Sequence, residues 1–485
     1  MKTVKKSLVA AALVLIAVIT NSCSKTLEED ILTTIPSEAR LVVVANADAI
    51  VKNAGCKVVD GVVTLSPELE KLVEKLDSRQ KFHVKQFIAI ANMVKTDRIV
   101  FFMDESGNPI CTFELQNPEL FNISLTASSK STTREAGYTV YKQRNGGIIA
   151  TDGNQGWFAQ DVDVVKSAVE SAAESNYAAN GAVYDVLCDE ATITYCLKMS
   201  ESLAKDENGN PIDYLCGNVS LTDNLIEAEF QQMNRSGKKY SMSRIMERID
   251  PEIAKYIPDN AQGLVAIGKI KEVKACVDAL RDFGAADPSE LQMLQLIGSG
   301  ISGSAAISVT PAADSSSLFN DPLSSWDITG AVQLSEESVS QISSLIDMAS
   351  LAYGINVITD EETGQQCIEY GTGKVFYNQY DTTIVASNVP LKEPTTSVYT
   401  DKFAECYALV SADVPYDSQL VRAMKIPYGF TVKAYLYDEK LSLEARINGS
   451  KSSVLKSLVE IILSADPSKF DFEGQFKGTD YESLW

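Results

Sequence analysis

The sequence predicts an α+β fold of two tandem repeats, each a largely antiparallel sheet with helices packed on one face. The chain has 485 residues, too many for one ordinary hydrophobic core, and its 45% hydrophobic and 22% charged composition is that of a globular protein. Strand-like and helix-like segments also recur in the same order in both halves. The predicted organisation is a signal peptide (1–22), a tether (23–34), a first repeat (35–250) and a second repeat (251–485).

The N-terminus has the parts of a bacterial export signal. Lysines near the start precede Leu8–Ile19, an apolar run of twelve residues that is too short to span a bilayer. Ser22 and Cys23 resemble the end of a lipobox, in which a small residue precedes a cysteine that is diacylated before cleavage. Thr20 and Asn21 depart from the usual lipobox residues, which leaves an ordinary signal peptide as the alternative. We expect lipidation of Cys23, because two or three acyl chains give stable membrane anchoring.

The surroundings of Cys23 also predict a location. Loose lipoboxes of this kind are typical of the phylum Bacteroidota. The acidic cluster Glu28–Asp30 resembles the surface-export signal of lipoproteins from that phylum, in which the acids usually begin nearer the cysteine. The resemblance implies an outer-membrane lipoprotein displayed on the cell surface. The alternatives are the periplasmic face of that membrane and a merely solvated acidic tether.

The net charge of the chain indicates which classes of partner to expect. Acidic residues outnumber basic ones by 65 to 43, and the formal charge is −22. A chain this acidic is repelled by phosphate backbones and anionic lipids, so we expect no nucleic-acid partner and membrane contact only through the N-terminal lipid. Solubility alone is the simpler explanation of the charge.

Internal similarity supports the two repeats. The segment Pro36–Val44 resembles Pro258–Ala266, each a proline turn that enters an apolar strand. Later, Ile226–Phe230 resembles Leu443–Ile447, and the order is kept with small insertions. The boundary is predicted near 240–257. Coincidence between common strand patterns is the alternative.

Further elements follow from local patterns. Residues 138–160 and 366–388 each predict three short strands with glycine turns. Asp161 predicts the N-cap of an amphipathic helix, and Ser452 or Ser453 begins the last helix. Each repeat also contains one polar, Ser-rich segment, Thr126–Glu135 in the first and Thr310–Ser325 in the second, and both are predicted to be loops.

One strand presents candidate binding residues. Between Phe430 and Tyr437 the residues alternate, with Phe430, Val432, Ala434 and Leu436 on the face predicted to be buried. Tyr435 and Tyr437 then lie on the outer face and are predicted to form a surface for a glycan or protein. Aromatic pairs on half-exposed sheets are also common without any ligand.

The duplicated pattern resembles a family of uncharacterised Bacteroidota lipoproteins, known only as a domain of unknown function. The resemblance rests on an Ile-Pro-x-x-Ala-x-x-Val type of strand, which begins here at Ile35 and again, in looser form, at Ile257. It covers most of the mature chain and implies a duplicated α+β fold. It implies no catalytic residue.

Histidine and cysteine usage restricts the chemistry. His83 is the only histidine, which leaves no histidine pair for zinc, and its apolar surroundings predict a buried helical position. Besides Cys23 there are eight scattered cysteines without a C-x-x-C motif, which we interpret as mostly free buried thiols. A disulfide such as Cys188–Cys216 is the alternative. We predict no metal and no cofactor.

Short motifs that resemble functional sites have simpler structural interpretations. The sequence 298–303 matches G-x-G-x-x-G, but a helix-like segment precedes it and a strand follows, so it predicts a helix end and turn. Ser453 and Lys456 match S-x-x-K without the accompanying motifs and predict a helix cap. The acidic segments 104–109 and 206–211 predict hairpin turns rather than calcium loops.

These observations favour a non-enzymatic protein of the cell envelope that acts by binding or as a structural component. No catalytic residue is predicted. The alternative is a surface hydrolase that uses carboxylates alone, which requires a cleft with two convergent acids.

Overall fold

In the computed structural model, the described residues are 31–59, 62–74, 81, 88–89, 91–95, 98–143, 146–199, 205, 209–274, 277, 291–292, 301–312, 325–340, 356–370, 373–418, 421–422 and 427–457. Cys23 and His83 lie outside these residues, as do the first half of the 298–303 motif and the first half of the 206–211 segment.

The chain divides into two compact units. The first contains the described residues up to Lys239 together with those from Ser450 onward, and the second is Tyr240–Gly449. Ser450 and the residues after it were predicted to belong to the second repeat. They group with the first unit because Ser453 Oγ donates to the Asn53 carbonyl and the Leu455 N–H donates to Asn53 Oδ1 at 3.1 Å.

The first unit is built on a ten-stranded antiparallel sheet in the order β12-β11-β10-β1-β4-β5-β9-β8-β7-β6, with β2 and β3 paired separately. Its strands are β1 (Leu41–Ala45), β2 (Lys57–Val59), β3 (Val62–Thr64), β4 (Ile99–Met103), β5 (Pro109–Glu114), β6 (Ser131–Glu135), β7 (Tyr138–Lys142), β8 (Ile148–Thr151), β9 (Gln155–Ala159), β10 (Ile193–Lys198), β11 (Tyr214–Leu221) and β12 (Leu225–Met233).

The second unit also has ten antiparallel strands, in the order β22-β21-β20-β13-β14-β15-β19-β18-β17-β16. They are β13 (Gly263–Ile267), β14 (Ile301–Pro311), β15 (Trp326–Leu334), β16 (Asn356–Thr359), β17 (Gln366–Tyr370), β18 (Gly373–Tyr380), β19 (Thr383–Ser387), β20 (Ala408–Val414), β21 (Gly429–Leu436) and β22 (Leu441–Asn448). When the ten sheet strands of each unit are numbered in the order in which they occur along the chain, the two sheets have the same strand order.

Helices within the described ranges are few and mostly short. The described α-helices are α1 (Ala47–Asn53), α2 (Pro67–Val73), α3 (Pro118–Ser128), α4 (Val162–Glu174), α5 (Ala182–Leu187) and α6 (Thr400–Glu405), and 3-10 turns occupy Ile31–Thr34, Tyr177–Asn180, Met242–Arg244 and Pro251–Tyr256. None of the helices within the described ranges combines the length and the hydrophobicity needed to cross a membrane.

The predicted α+β class with helices layered on each sheet is wrong. Antiparallel strands dominate both units, and only a few short helices accompany them. Long strands rich in Ser, Thr and Gly caused the error, because such segments carry a weak apolar period. In β14, Ile301–Gly303 continue a strand with an irregular register where the sequence predicts a turn, and Gly303 is needed because a Cβ there would meet the Gln333 side chain at 2.5 Å.

Other local predictions can be compared directly. The triplets β7–β9 and β17–β19 are confirmed, as is the Asp161 cap, whose side chain accepts from the Val164 N–H at 3.0 Å. The hairpin turn between β4 and β5 is also confirmed. The predicted loop Thr126–Glu135 is wrong, because it contains the end of α3 and all of β6. β6 is the last strand of its sheet order and largely exposed, which explains its polar sequence.

Each unit has its own core. In the first unit, β1, β4 and β10 bury Val42, Phe102 and Cys196 against side chains of α4 and α5. In the second, β13, β20 and β21 bury Leu264, Leu409 and Tyr435 against Phe403 of α6. These two cores each lie on one face of the central strands, and in the first unit a further buried cluster packs α1 against Ile99 on the other face of β4.

Candidate functional site

Tyr435, which was predicted with Tyr437 to lie on the outer face of its strand, is buried instead. It is 8% exposed, and Val432 on the opposite face of β21 is 44% exposed. The period of two is present, but the predicted faces are reversed, because Phe403 and Cys406 pack on the Tyr435 side. Tyr437 follows the strand, and its ring stacks on that of Tyr435 at 6.0 Å.

Tyr435 borders a cleft of about 760 Å³ within the second unit. The cleft is formed by the turn before β13, the end of β14, the start of α6 and the inner face of β20 and β21. Its volume lies in the range of small-ligand sites. Tyr437 is not among the residues that line it.

The alternation of side chains along β20 and β21 explains why polar residues of the sheet line the cleft. Leu409, Ser411 and Asp413 share one face of β20, and Ser411 lies opposite Lys433 of β21. Tyr435 lies opposite Leu409 on that face. The inner face of the sheet is therefore apolar where α6 covers it and polar where the cleft begins.

Backbone hydrogen bonds hold the turn before β13 in place. The Gln262 N–H donates to the Val309 carbonyl at 3.0 Å, and the Asp413 N–H donates to the Gln262 carbonyl at 2.6 Å. Asp259 Oδ1 accepts from the Val398 N–H at 3.1 Å, which fixes the segment leading into α6. The cleft walls are thus tied to three strands.

Hydrogen bonds already engage two of the three carboxylates of the cleft. Asp413 accepts from Thr431 Oγ1 at 2.7 Å and from Asn448 Nδ2 at 3.4 Å. Asp259 accepts from the backbone as described above. For Asp417 the carboxylate has no hydrogen-bond or ion-pair partner among the described residues. The two engaged groups serve as acceptors that hold the walls together.

The two lysines that line the cleft differ in their partners. Lys402 Nζ lies 3.0 Å from Glu405 Oε2 and 5.6 Å from the centre of the Tyr435 ring. The hydrogen bond that Lys402 donates to Glu405, followed by the nearby Tyr437, raises the pKa of Lys402. Lys433 has no ion-pair partner among the residues the structure describes. Its ammonium group is therefore the free cation of the cleft within that part of the chain.

Burial also raises the pKa of two tyrosines that line the cleft. Desolvation, followed by the charge of Asp259, raises the pKa of Tyr399, and desolvation followed by Glu444 raises that of Tyr435. Both phenols therefore stay protonated at neutral pH and can donate a hydrogen bond. The Tyr399 ring stacks on Phe403 at 6.1 Å.

Gln262 supplies an unsatisfied group. It lines the cleft, and its Oε1 is buried without a hydrogen-bond partner in the described structure. A buried acceptor left unpaired costs free energy that a donor on a ligand would recover. The cleft thus combines an unpaired acceptor, a free ammonium group and partly apolar walls.

Within the described part of the chain, no three His, Cys, Asp or Glu side chains cluster closely enough to hold a metal ion. Sequence reasoning found only Tyr435 of the residues that line the cleft. The others, such as Gln262, Ser411 and Lys433, come from segments far apart in the chain and form no local motif. No sequence signal apart from the Pro258 turn marks their neighbourhood.

No protein-family model matches the chain, and no curated protein matches it. Among solved structures it is similar to crystal form I of TP0453, with 11% identity and a TM-score of 0.25 over 42% of this chain and 79% of that one. A likeness at this level carries no argument about fold or function.

Proposed function

We propose that the chain is a lipid-anchored protein of the bacterial outer membrane that binds a glycan segment, without catalysis, in the cleft of its second unit. The observation that carries the binding part is the combination of Gln262 Oε1, buried and unpaired, with Lys433, which lacks an ion-pair partner among the described residues. Cys23 and the export signal before it support the anchoring part.

The chemistry of the cleft favours hydroxyl groups. A sugar hydroxyl both donates and accepts, so the hydroxyls of one glycan can donate to Gln262 Oε1 and accept from the Lys433 ammonium. Asp413 and Ser411 lie on the same sheet face and offer further partners. Apolar contact with the sugar ring is available from Val398, which is 67% exposed at the rim.

A binding role also accounts for the carboxylates better than the hydrolase does. An acid–base pair needs two free carboxyl groups that converge on one bond. Asp259 and Asp413 instead accept hydrogen bonds that hold the cleft walls. The display of a binding cleft outside the cell requires only the anchor and the export signal.

Binding is tested with an array of neutral and acidic oligosaccharides, followed by calorimetry on the bound compounds. We expect Lys433→Ala and Gln262→Leu to weaken binding about tenfold each, because each removes one hydrogen bond in a partly buried site. Lys392→Ala is the matched control, since Lys392 is exposed and does not line the cleft. Loss of binding in the control, or none in the cleft variants, contradicts the assignment. Release of reducing sugar would support the hydrolase instead.

Anchoring and location are tested by protease treatment of intact cells, with a periplasmic marker as control. We expect digestion of the wild-type chain and incorporation of labelled fatty acid that Cys23→Ala abolishes. Protection until the outer membrane is opened would contradict surface display and support the periplasmic face. Fatty-acid labelling of the Cys23→Ala variant would contradict lipidation at this residue.

A further inference from the structure

Two buried cysteines face each other in the first unit. Cys196 of β10 and Cys216 of β11 are direct register partners, between the pairs Tyr195–Gly217 and Leu197–Leu215. Both cysteines are fully buried in the first core. Both thiols are free in the structure, and Cys196 Sγ lies 3.4 Å from the Val183 carbonyl.

The register places this pair within disulfide range. Residues directly opposite in an antiparallel ladder have Cα atoms about 4.5–5.5 Å apart. Disulfides join Cα atoms about 4.4–6.8 Å apart, so the backbone need not move to form one. Burial and, after it, the hydrogen bond with the adjacent Cys216 thiol raise the pKa of Cys196.

No other described cysteine has a cysteine opposite it. Cys111 lies opposite Phe101 and Phe158, and Cys367 lies opposite Ile358 and Phe376. At the same two positions in the second sheet stand Ser411 and Lys433. The sheet therefore does not require a pair of cysteines there, and the pair belongs to the first unit alone.

We propose that Cys196 and Cys216 form a disulfide that joins β10 to β11 in the exported protein. The inference rests on the proposed export, because disulfides persist in oxidising compartments. It replaces the Cys188–Cys216 pairing left open by the sequence, since β10 and not the end of α5 lies opposite Cys216.

The Cys196–Cys216 disulfide forms by thiol–disulfide exchange with an oxidant that itself carries a disulfide. One cysteine, as its thiolate, attacks the disulfide of an oxidant and forms a mixed disulfide, and the second thiolate displaces the oxidant's remaining sulfur. The two cysteines lose two protons and two electrons, and the oxidant's disulfide is reduced to two thiols. Because both sulfurs are buried in the folded unit, the exchange takes place during folding and the product is protected from reductants afterwards.

The test is peptide mass spectrometry on the full-length protein, taken from the cell envelope and denatured in the presence of an alkylating reagent, so that buried free thiols are blocked as they become exposed. Trypsin places Cys196 in peptide 167–198 and Cys216 in peptide 206–235, so the disulfide appears as a joined pair of these peptides. Cys188 shares the first peptide with Cys196. We therefore expect the joined pair to persist in Cys188→Ala and to disappear in Cys196→Ala.

Refolding separates this inference from the proposed export. Denatured, reduced protein is refolded in a glutathione redox buffer, and the same peptides are measured whatever the protein's location in the cell. We expect the joined pair to form, and to resist dithiothreitol until denaturant is added. Two alkylated peptides both from the envelope and after refolding would overturn the proposal. A joined pair after refolding but not in cells would keep the disulfide and contradict export.

Discussion

Lys198 in the first unit and Asp413 in the second occupy the same position in their sheets but carry opposite charges. Each backbone N–H donates at 2.6 Å to the residue that precedes the central strand, Arg40 for Lys198 and Gln262 for Asp413. Lys198 Nζ pairs with Glu38 at 2.5 Å, and Glu38 also binds Arg235 Nη2 at 2.9 Å. Ion pairs therefore fill this corner of the first unit, and the cleft lies at the corresponding corner of the second.

Removal of the Glu38 charge is expected to weaken the first unit slightly. Glu38→Gln leaves Lys198 and Arg235 without their shared carboxylate, whose pKa the hydrogen bond from Lys198 holds below its usual range. Because the Glu38 side chain is 46% exposed, screening limits the loss to about 0.5–1 kcal/mol. Urea unfolding at low and high salt measures it, and we expect the difference from wild type to shrink at high salt. A difference that grows with salt would contradict the ion-pair explanation.

Gln262→Leu should have opposite effects on stability and binding. Replacing a buried, unpaired amide oxygen with an apolar group removes its desolvation penalty, so we expect the unliganded protein to gain about 1 kcal/mol. Ligand binding should weaken because the acceptor is lost. Thermal unfolding with and without ligand checks both effects. A variant that is less stable and binds normally would show that Gln262 has a structural role only.

Asp360 is expected to titrate far below a normal aspartate. The hydrogen bond from Lys374 Nζ at 2.7 Å, together with those from Thr363, lowers the pKa of Asp360 to about 2. A lowered pKa means that its stabilising contribution is complete above the unfolded value near 3.8 and is lost as the pH falls through about 2. NMR titration of the carboxyl carbon measures this directly. In thermal unfolding, the deficit of Asp360→Asn should be present at pH 7 and vanish near pH 2.

Asn53 is expected to attach the segment from Ser450 onward to the first unit. Its Nδ2 donates to the Thr222 carbonyl at 2.6 Å, and its Oδ1 accepts from the Leu455 N–H. Asn53→Ala removes two hydrogen bonds made by a side chain that is only 7% exposed, so we expect a loss of about 1–3 kcal/mol. Limited proteolysis should then cut sooner near Leu455. Lys57→Ala, a few residues after the same helix, is the control, because Lys57 is exposed and its change should stay within about 0.5 kcal/mol. Equal effects in both variants would contradict this role.

Local patterns in the sequence determined many elements of this protein. Alternation predicted the strands β7–β9, β17–β19 and β21, and a side chain that can cap a helix predicted the start of α4 at Asp161. These features depend on residues a few positions apart, and their energetics act within the same segment. The sequence therefore identified them without knowledge of the fold.

Tertiary structure alone decided which strand face is buried, how far each sheet extends and where the cleft lies. A period of two along β21 is the same whether α6 packs on Tyr435 or on Val432, so the pattern could not select the face. Ser411 meets Lys433, and Cys196 meets Cys216, only because strand register brings separate segments together. Register is set by the packing of the whole sheet, and that information is spread over residues too far apart for a local pattern to carry.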